Sequence, residues 1–274
     1  MRKCLFLFFA LTVAVHAVSS QTAEEYFFVA NQYSIEGRFN EALAVLAKGL
    51  RRHPDNAMLH FGLGHLSYHL QNSALALRHL SRAIELDSSF ALAYAIRARV
   101  FKSIHEYDRV LYDLNMAVYL EPENEDRYFH RAYFFYTVLR DFTRALADFN
   151  MAILLNPSYE NFHNRGVFYT SVGFYEYALD DLNKAIQLNN EDIISWLRRG
   201  NVFLSLRRYH EAVSDFTEVI RINPNNRDVF YNRSFAHREL AYFAYLSGDL
   251  EQARYYLQRA QEDMATAYWL DSQR

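Results

Sequence analysis

The chain has one cysteine, four prolines and eight glycines in 274 residues, and each scarcity excludes something. The cysteine, Cys4, lies before an apolar run at the very start, so everything after it is without a thiol, a disulfide or a redox role. So few glycines and prolines leave no linker and no low-complexity stretch. No Gly-rich phosphate loop, nucleophile elbow or triad arrangement appears, so no enzyme activity and no cofactor are expected. No segment sustains the alternation of a β-strand.

Long hydrophobic runs are equally scarce. The clearest, Leu5 to Val15, follows Arg2 and Lys3 and precedes small residues. That is the pattern of a secretory signal peptide over residues 1–20, with cleavage after Ala17, Ser19 or Ser20. The run is too short for a membrane span, and Cys4 precedes it, so a lipid-anchored cysteine is not expected. Export follows, to the periplasm of a bacterium or otherwise by secretion. Without the leader, 27 basic residues face 32 acidic ones, since only Arg2 and Lys3 are lost from the charged set. The balance of −5 argues against nucleic acid and against an anionic membrane surface.

The four prolines keep a period. The intervals from Pro54 to Pro122, Pro122 to Pro157 and Pro157 to Pro224 are two, one and two periods of 34, each to within one position. From Pro54 to Pro224 the count is five such periods with nothing left over. Ala42, Ala76, Val110, Ala145, Ala178 and Ala212 recur at steps of 34, 34, 35, 33 and 34. A repeat of this size marks stacked units, each too small to bury its apolar face alone. Within residues 159–192, Phe162, Gly166 and Tyr169 are spaced by 4 and 3, and Tyr175, Ala178, Leu182 and Ala185 by 3, 4 and 3. Both runs fit an amphipathic helix, and Gly173 between them can take the positive φ that ends the first. Each unit is therefore a helix, a tight turn and an antiparallel helix, with Gly166 and Ala178 small enough for close backbone approach.

These residues resemble the tetratricopeptide repeat, whose pattern is matched well by Trp196, Gly200, Phe203, Tyr209, Ala212, Phe216 and Pro224. The resemblance implies an all-α solenoid of antiparallel helix pairs wound as a right-handed superhelix. Seven units are expected in a single solenoid domain over 21–274: 23–56, 57–90, 91–124, 125–158, 159–192, 193–226 and 227–274. In the last, the turn Gly248-Asp249-Leu250 arrives seven residues late, which predicts an elongated final hairpin. Its Tyr255, Tyr256, Tyr268 and Trp269 either pack on the preceding unit or form a contact between copies.

In the family, positions 5, 9 and 12 of each first helix line a concave groove that binds ligands. The candidates here are Phe27, Phe61, Tyr231 and His163 at position 5, Asn31, His65, Arg99, Tyr133 and Asn201 at position 9, and Tyr68, Lys102 and Tyr136 at position 12. Aromatic anchors beside the Arg99 and Lys102 cations suit an extended peptide or an amphipathic helix with an acidic residue. Position 5 can equally lie under the next repeat, so Phe27, Phe61 and Phe129 are open to either reading. The family's carboxylate clamp is not expected, because Phe27 and Ala95 stand where it needs lysines. His65 and His69 have metal-ligand spacing on one helix face, but no third ligand is evident; solvated or hydrogen-bonding histidines are expected. The Asp180-Asp181 and Glu24-Glu25 pairs read as solvated faces or helix N-terminal charge, and Asn232-Arg233-Ser234 is a glycosylation sequon inside a helix. Taken together, the sequence predicts an exported scaffold that binds another protein's segment in its groove, during assembly of an envelope or secretory complex. The alternative is an oligomeric periplasmic protein that handles a small ligand or assists a transporter.

Overall fold

The computed structural model describes residues 22–273; the leader expected over 1–20, with Cys4, lies outside the described residues. Within them the fold is all-α. The helices pair in chain order: α1 (Ala23–Ile35) with α2 (Phe39–Arg52), α3 (Ala57–His69) with α4 (Ser73–Leu86), and α5 (Ala91–Ser103) with α6 (Tyr107–Leu120). These three hairpins belong to one compact unit, which ends at Pro122. A second unit begins at Glu123 and holds four more hairpins. They are α7 (Glu125–Phe134) with α8 (Phe142–Leu155), α9 (Tyr159–Ser171) with α10 (Tyr175–Leu188), α11 (Ile193–Ser205) with α12 (Tyr209–Ile222), and α13 (Arg227–Leu246) with α14 (Leu250–Ser272). The last pair runs 20 and 23 residues, where α11 and α12 run 13 and 14.

Helix starts follow from local chemistry. Side chains of Thr22, Asn56, Asn124, Ser158, Asp192 and Asn226 accept backbone N–H bonds at the N-termini of six first helices. Glu25 completes a capping box with Thr22, which gives that acid the N-terminal role expected of it. Each hairpin turns through one left-handed residue: Gly37, Gln71, His105, Arg140, Gly173, Arg207 or Gly248. Four of these turns place a non-glycine residue in a conformation that side chains adopt reluctantly.

Inside each hairpin the two helices meet at small residues. An added Cβ on Gly64 would lie 2.6 Å from Leu80 Cγ and 2.9 Å from the Leu80 backbone nitrogen; on Gly166 it would lie 3.0 Å from Leu182 Cγ. Leu80, Leu182 and Phe216 are fully buried against these approaches. Burying each such side chain contributes roughly 1.5–3 kcal/mol.

The one step of 35 in the repeat has a local cause. After Phe134 the chain forms a π-helical turn over Phe135–Leu139. The backbone bond that closes each turn spans five positions elsewhere, as in Glu106 N–H to Phe101 O, but here Asp141 N–H reaches Phe135 O, a span of six. One inserted residue has been absorbed as a π-bulge. The connection from α8 to α9 is one position shorter than the links between other hairpins, so α9 returns to the common register.

A second periodicity takes on its meaning in three dimensions. Arg97, Arg131, Arg165, Arg199 and Arg233 occupy the same place in five successive first helices, one repeat period apart. Each pairs through two nitrogens with an aspartate of its own second helix: Asp113, Asp148, Asp181, Asp215 and Asp263, at 2.6–2.9 Å. All five carboxylates are buried. Beyond these pairs, Arg97 donates to Ser81, Arg165 to Asn150, Arg199 to Asn183 and Arg233 to Thr217, each on the preceding second helix. Rings flank the guanidinium, with Trp196 4.8 Å and Phe203 5.7 Å from Arg199. Asp181 therefore departs from the solvated face expected of Asp180-Asp181. Its helix phase points it inward, and Arg165 supplies the countercharge that makes burial tolerable.

Candidate binding surface on the first helices

In the unit ending at Pro122, α1, α3 and α5 carry the predicted stripe. Asn31 is exposed and Phe27 half-buried on α1. On α3, Phe61 is buried at 5% exposure, with Phe90 4.9 Å away and Phe27 6.5 Å away, ring centre to ring centre. Of the two readings open for it, the structure places Phe61 in the core, because Phe90 at the start of the next hairpin covers position 5. His65 and Tyr68 remain half-buried. On α5, Arg99 is exposed, its guanidinium 5.3 Å from the Tyr68 ring centre, and Lys102 is half-buried. Burial pushes the Lys102 ammonium below its usual range.

Between α1 and α3 opens a pocket of about 330 Å³. Phe27, Leu46 and Leu66 form its apolar wall, and Asn31, Ser34, His65 and His69 its polar side. The Nε2 atoms of His65 and His69 lie 3.0 Å apart, within hydrogen-bond distance. Burial, with His69 and Arg99 nearby, lowers the His65 imidazole to about 4.

In the unit beginning at Glu123, the stripe is more tightly tied down. Phe129 is half-buried, 6.3 Å from Phe149, and Tyr133 is exposed. Tyr136, expected in the groove, instead packs edge-on against Phe168 at 5.5 Å and lies 6.3 Å from Phe142. Phe135, buried at 4% exposure, holds the inward place that Phe101 and Phe203 hold in other hairpins; the π-helical turn starts there, and Tyr136 follows it as a half-buried ring. His163 Nδ1 lies 2.8 Å from the Ser195 hydroxyl, and burial lowers its pKa against the opposing pull of Asp192. The Asn201 side-chain oxygen accepts from Asn232 at 3.1 Å, and Tyr231 meets Tyr268 edge-on at 6.1 Å. These side chains join one first helix to the next hairpin or close the last one.

The same contacts close the sequon. Asn232 commits its amide nitrogen to Asn201, Arg233 is paired with Asp263, and the buried Ser234 hydroxyl donates to Ala260 O. On the final hairpin Tyr256 packs into the core as one reading held, stacked 6.0 Å from His237, while Tyr255, Tyr268 and Trp269 are exposed. No helix among the described residues is long and apolar enough to cross a membrane.

Two tetratricopeptide-repeat family models match the chain, one over residues 36–100 and one over 193–226. Hsc70-interacting proteins 1 and 2 of Drosophila melanogaster are each 28% identical over 88 residues, covering 32% of this chain and 23% of theirs. The match thus spans under a quarter of the length of these curated relatives. Among solved structures, the C-terminal part of a tetratricopeptide protein from Cytophaga hutchinsonii superposes with a TM-score of 0.70 at 16% identity, covering 87% of this chain and 93% of that one. YrrB, described as having an unusual peptide-binding site, gives 0.52 at 22% identity, covering 70% and 97%. Helix pairing, turn geometry and these matches agree: the chain is a tetratricopeptide-repeat protein, with about seven helix pairs among its described residues.

Proposed function

We propose that this protein is an exported scaffold that holds a segment of another protein along its first-helix stripe, and so takes part in assembling an envelope or secretory complex. One observation carries the reading. In the unit ending at Pro122, an apolar pocket opens between α1 and α3, and the stripe continues onto α5 with the cations Arg99 and Lys102. None of the stripe residues of α1, α3 and α5 is a carboxylate. An apolar side chain and a nearby acid on an extended or helical segment fit that combination. The interactions named for the Hsc70-interacting relatives and for YrrB belong to those proteins, and they favour the same ligand class here.

The test is in-cell crosslinking with mass spectrometry, comparing wild type with a Tyr68→Ala, Arg99→Ala variant. A partner captured by the wild type and lost in the variant supports the reading; a partner held equally by both rejects this surface. Export is checked by fractionation and the mass of the exported form. A chain starting after residue 17, 19 or 20 agrees with the expected cleavage, and a full-length chain confined to the cytoplasm rejects it.

A second reading, an oligomeric protein that handles a small ligand or assists a transporter, draws on the exposed Tyr242, Tyr245, Tyr268 and Trp269 of the final hairpin. Light scattering decides it: a monomer at micromolar concentration removes its basis.

A further inference from the structure

Histidines gather in one hairpin. Besides His65 and His69 on α3, His60 on α3 meets His79 on α4, Nδ1 to Nδ1 at 2.9 Å. The two pairs differ in what surrounds them. His60 Nε2 lies 3.0 Å from the Pro54 carbonyl, so Nε2 carries the proton, and Nδ1 accepts one from His79. That pair is a cross-link between two helices, with its hydrogen-bonding capacity used. His65 and His69, by contrast, both line the pocket shared with α1, and their Nε2 atoms converge there.

The separation of those two nitrogens is informative. At metal–nitrogen bonds of about 2.05 Å, two nitrogens 3.0 Å apart subtend roughly 94° at a cation. That is the angle between adjacent ligands in tetragonal coordination and well short of the tetrahedral value, which favours Cu(II) or Ni(II) over structural zinc. The Phe61 ring stacks on His65 at 5.6 Å and 23°, fixing one ligand. Asn31 and Ser34 face the pair from α1 and bring neutral oxygens. Ser34 donates its hydroxyl proton to Ala30 O, which leaves its oxygen lone pairs for the pocket. Arg99 is the opposing feature: a cation on α5, close enough to His65 to be felt electrostatically.

We propose that His65 and His69 form a two-nitrogen site for a late first-row divalent cation of the Cu(II) or Ni(II) class, completed by pocket oxygens and water. The site shares the α1/α3 pocket with the proposed segment surface, but its test, ion binding by the full chain alone, reads out separately from segment binding. Calorimetric titration of the full chain with nickel chloride, and electron paramagnetic resonance of the copper(II) form, test it. The expected result is one ion per chain, a copper signal split by two nitrogens, at least a tenfold loss of affinity in His69→Gln, and a several-fold gain in Arg99→Ala. His69 is exposed, so the glutamine variant keeps the fold, and an unchanged melting temperature verifies this. The assignment is overturned if wild type binds no ion, if His69→Gln binds as tightly as wild type, or if binding is lost in His60→Gln instead. The copper spectrum of the wild type decides the matter even should the variant prove unstable, since absence of two-nitrogen splitting rejects the site.

Discussion

At the places where hairpins α5/α6 to α13/α14 carry a buried arginine–aspartate pair, hairpin α1/α2 has Val29 and Val45, and α3/α4 has Leu63 and His79. The repeat frame is common to both groups, yet the forces within it differ. In the first two hairpins the contact is largely apolar, and close approach at Gly64 and Gly62 sets the fit. In the other five, two charges must meet in a dry interior. A buried pair adds little net stability over an apolar one, but it severely penalises any arrangement that leaves one charge alone. The first two hairpins are therefore registered by close packing and the other five by charge pairing as well.

That contrast can be broken by experiment, starting with the largest effect. Asp215→Ala leaves Arg199 without its buried countercharge and should cost about 3–5 kcal/mol in urea unfolding. A cost below about 1 kcal/mol would mean that water solvates the arginine and the contrast is false. Next in size, Gly64→Ala should cost roughly 1–3 kcal/mol, because its methyl group meets backbone as well as Leu80. Gly166→Ala should cost less, since it meets only the Leu182 side chain at 3.0–3.2 Å and the Ala178 carbonyl at an ordinary 3.5 Å. Smaller still, Arg199→Met combined with Asp215→Leu should come within about 1 kcal/mol of wild type, converting a charged hairpin into the apolar kind. The comparison of single and double variants isolates register from stability.

The remaining effect is on pH. In hairpin α3/α4, His65 and His79 are each lowered from 6.5 to about 4, mainly by burial, with His69 and Arg99 acting on the first and His60 and Arg78 on the second. The unfolded chain then takes up protons near pH 6.5 that the folded chain refuses until about pH 4. Stability contributed by these rings is present above pH 6.5 and is lost as the pH falls toward 4. Chemical denaturation at pH 7, 5.5 and 4.5 should show a shallower decline in His65→Gln and His79→Gln.

Much of the architecture could be read directly from the residues. The regular spacing of prolines and alanines, the paired helical periods and the late turn at Gly248 all have the structural counterparts described above. The five arginines recur at the same spacing and were equally legible in principle. They escape notice because a lone arginine on an amphipathic helix reads as surface, and each partner aspartate lies on the other helix of the hairpin, far along the chain. Asp181 was misread for the same reason. For the binding surface, the residue types were visible but their access was not: Phe61 is covered by Phe90, and Tyr136 packs edge-on against Phe168.

By itself, then, the sequence determined the repeat length, the helix pairs and the residues that stand on one helix face, because these follow from local periodicity and from turn chemistry. The tertiary structure alone decided which charges are buried together, which stripe residues reach the surface and which histidine nitrogens converge. Burial and pairing depend on what the neighbouring helix presents, and the length of a step does not reveal where its extra residue goes. The single step of 35 announced an insertion; only the backbone bond from Asp141 to Phe135 shows that a π-bulge absorbed it.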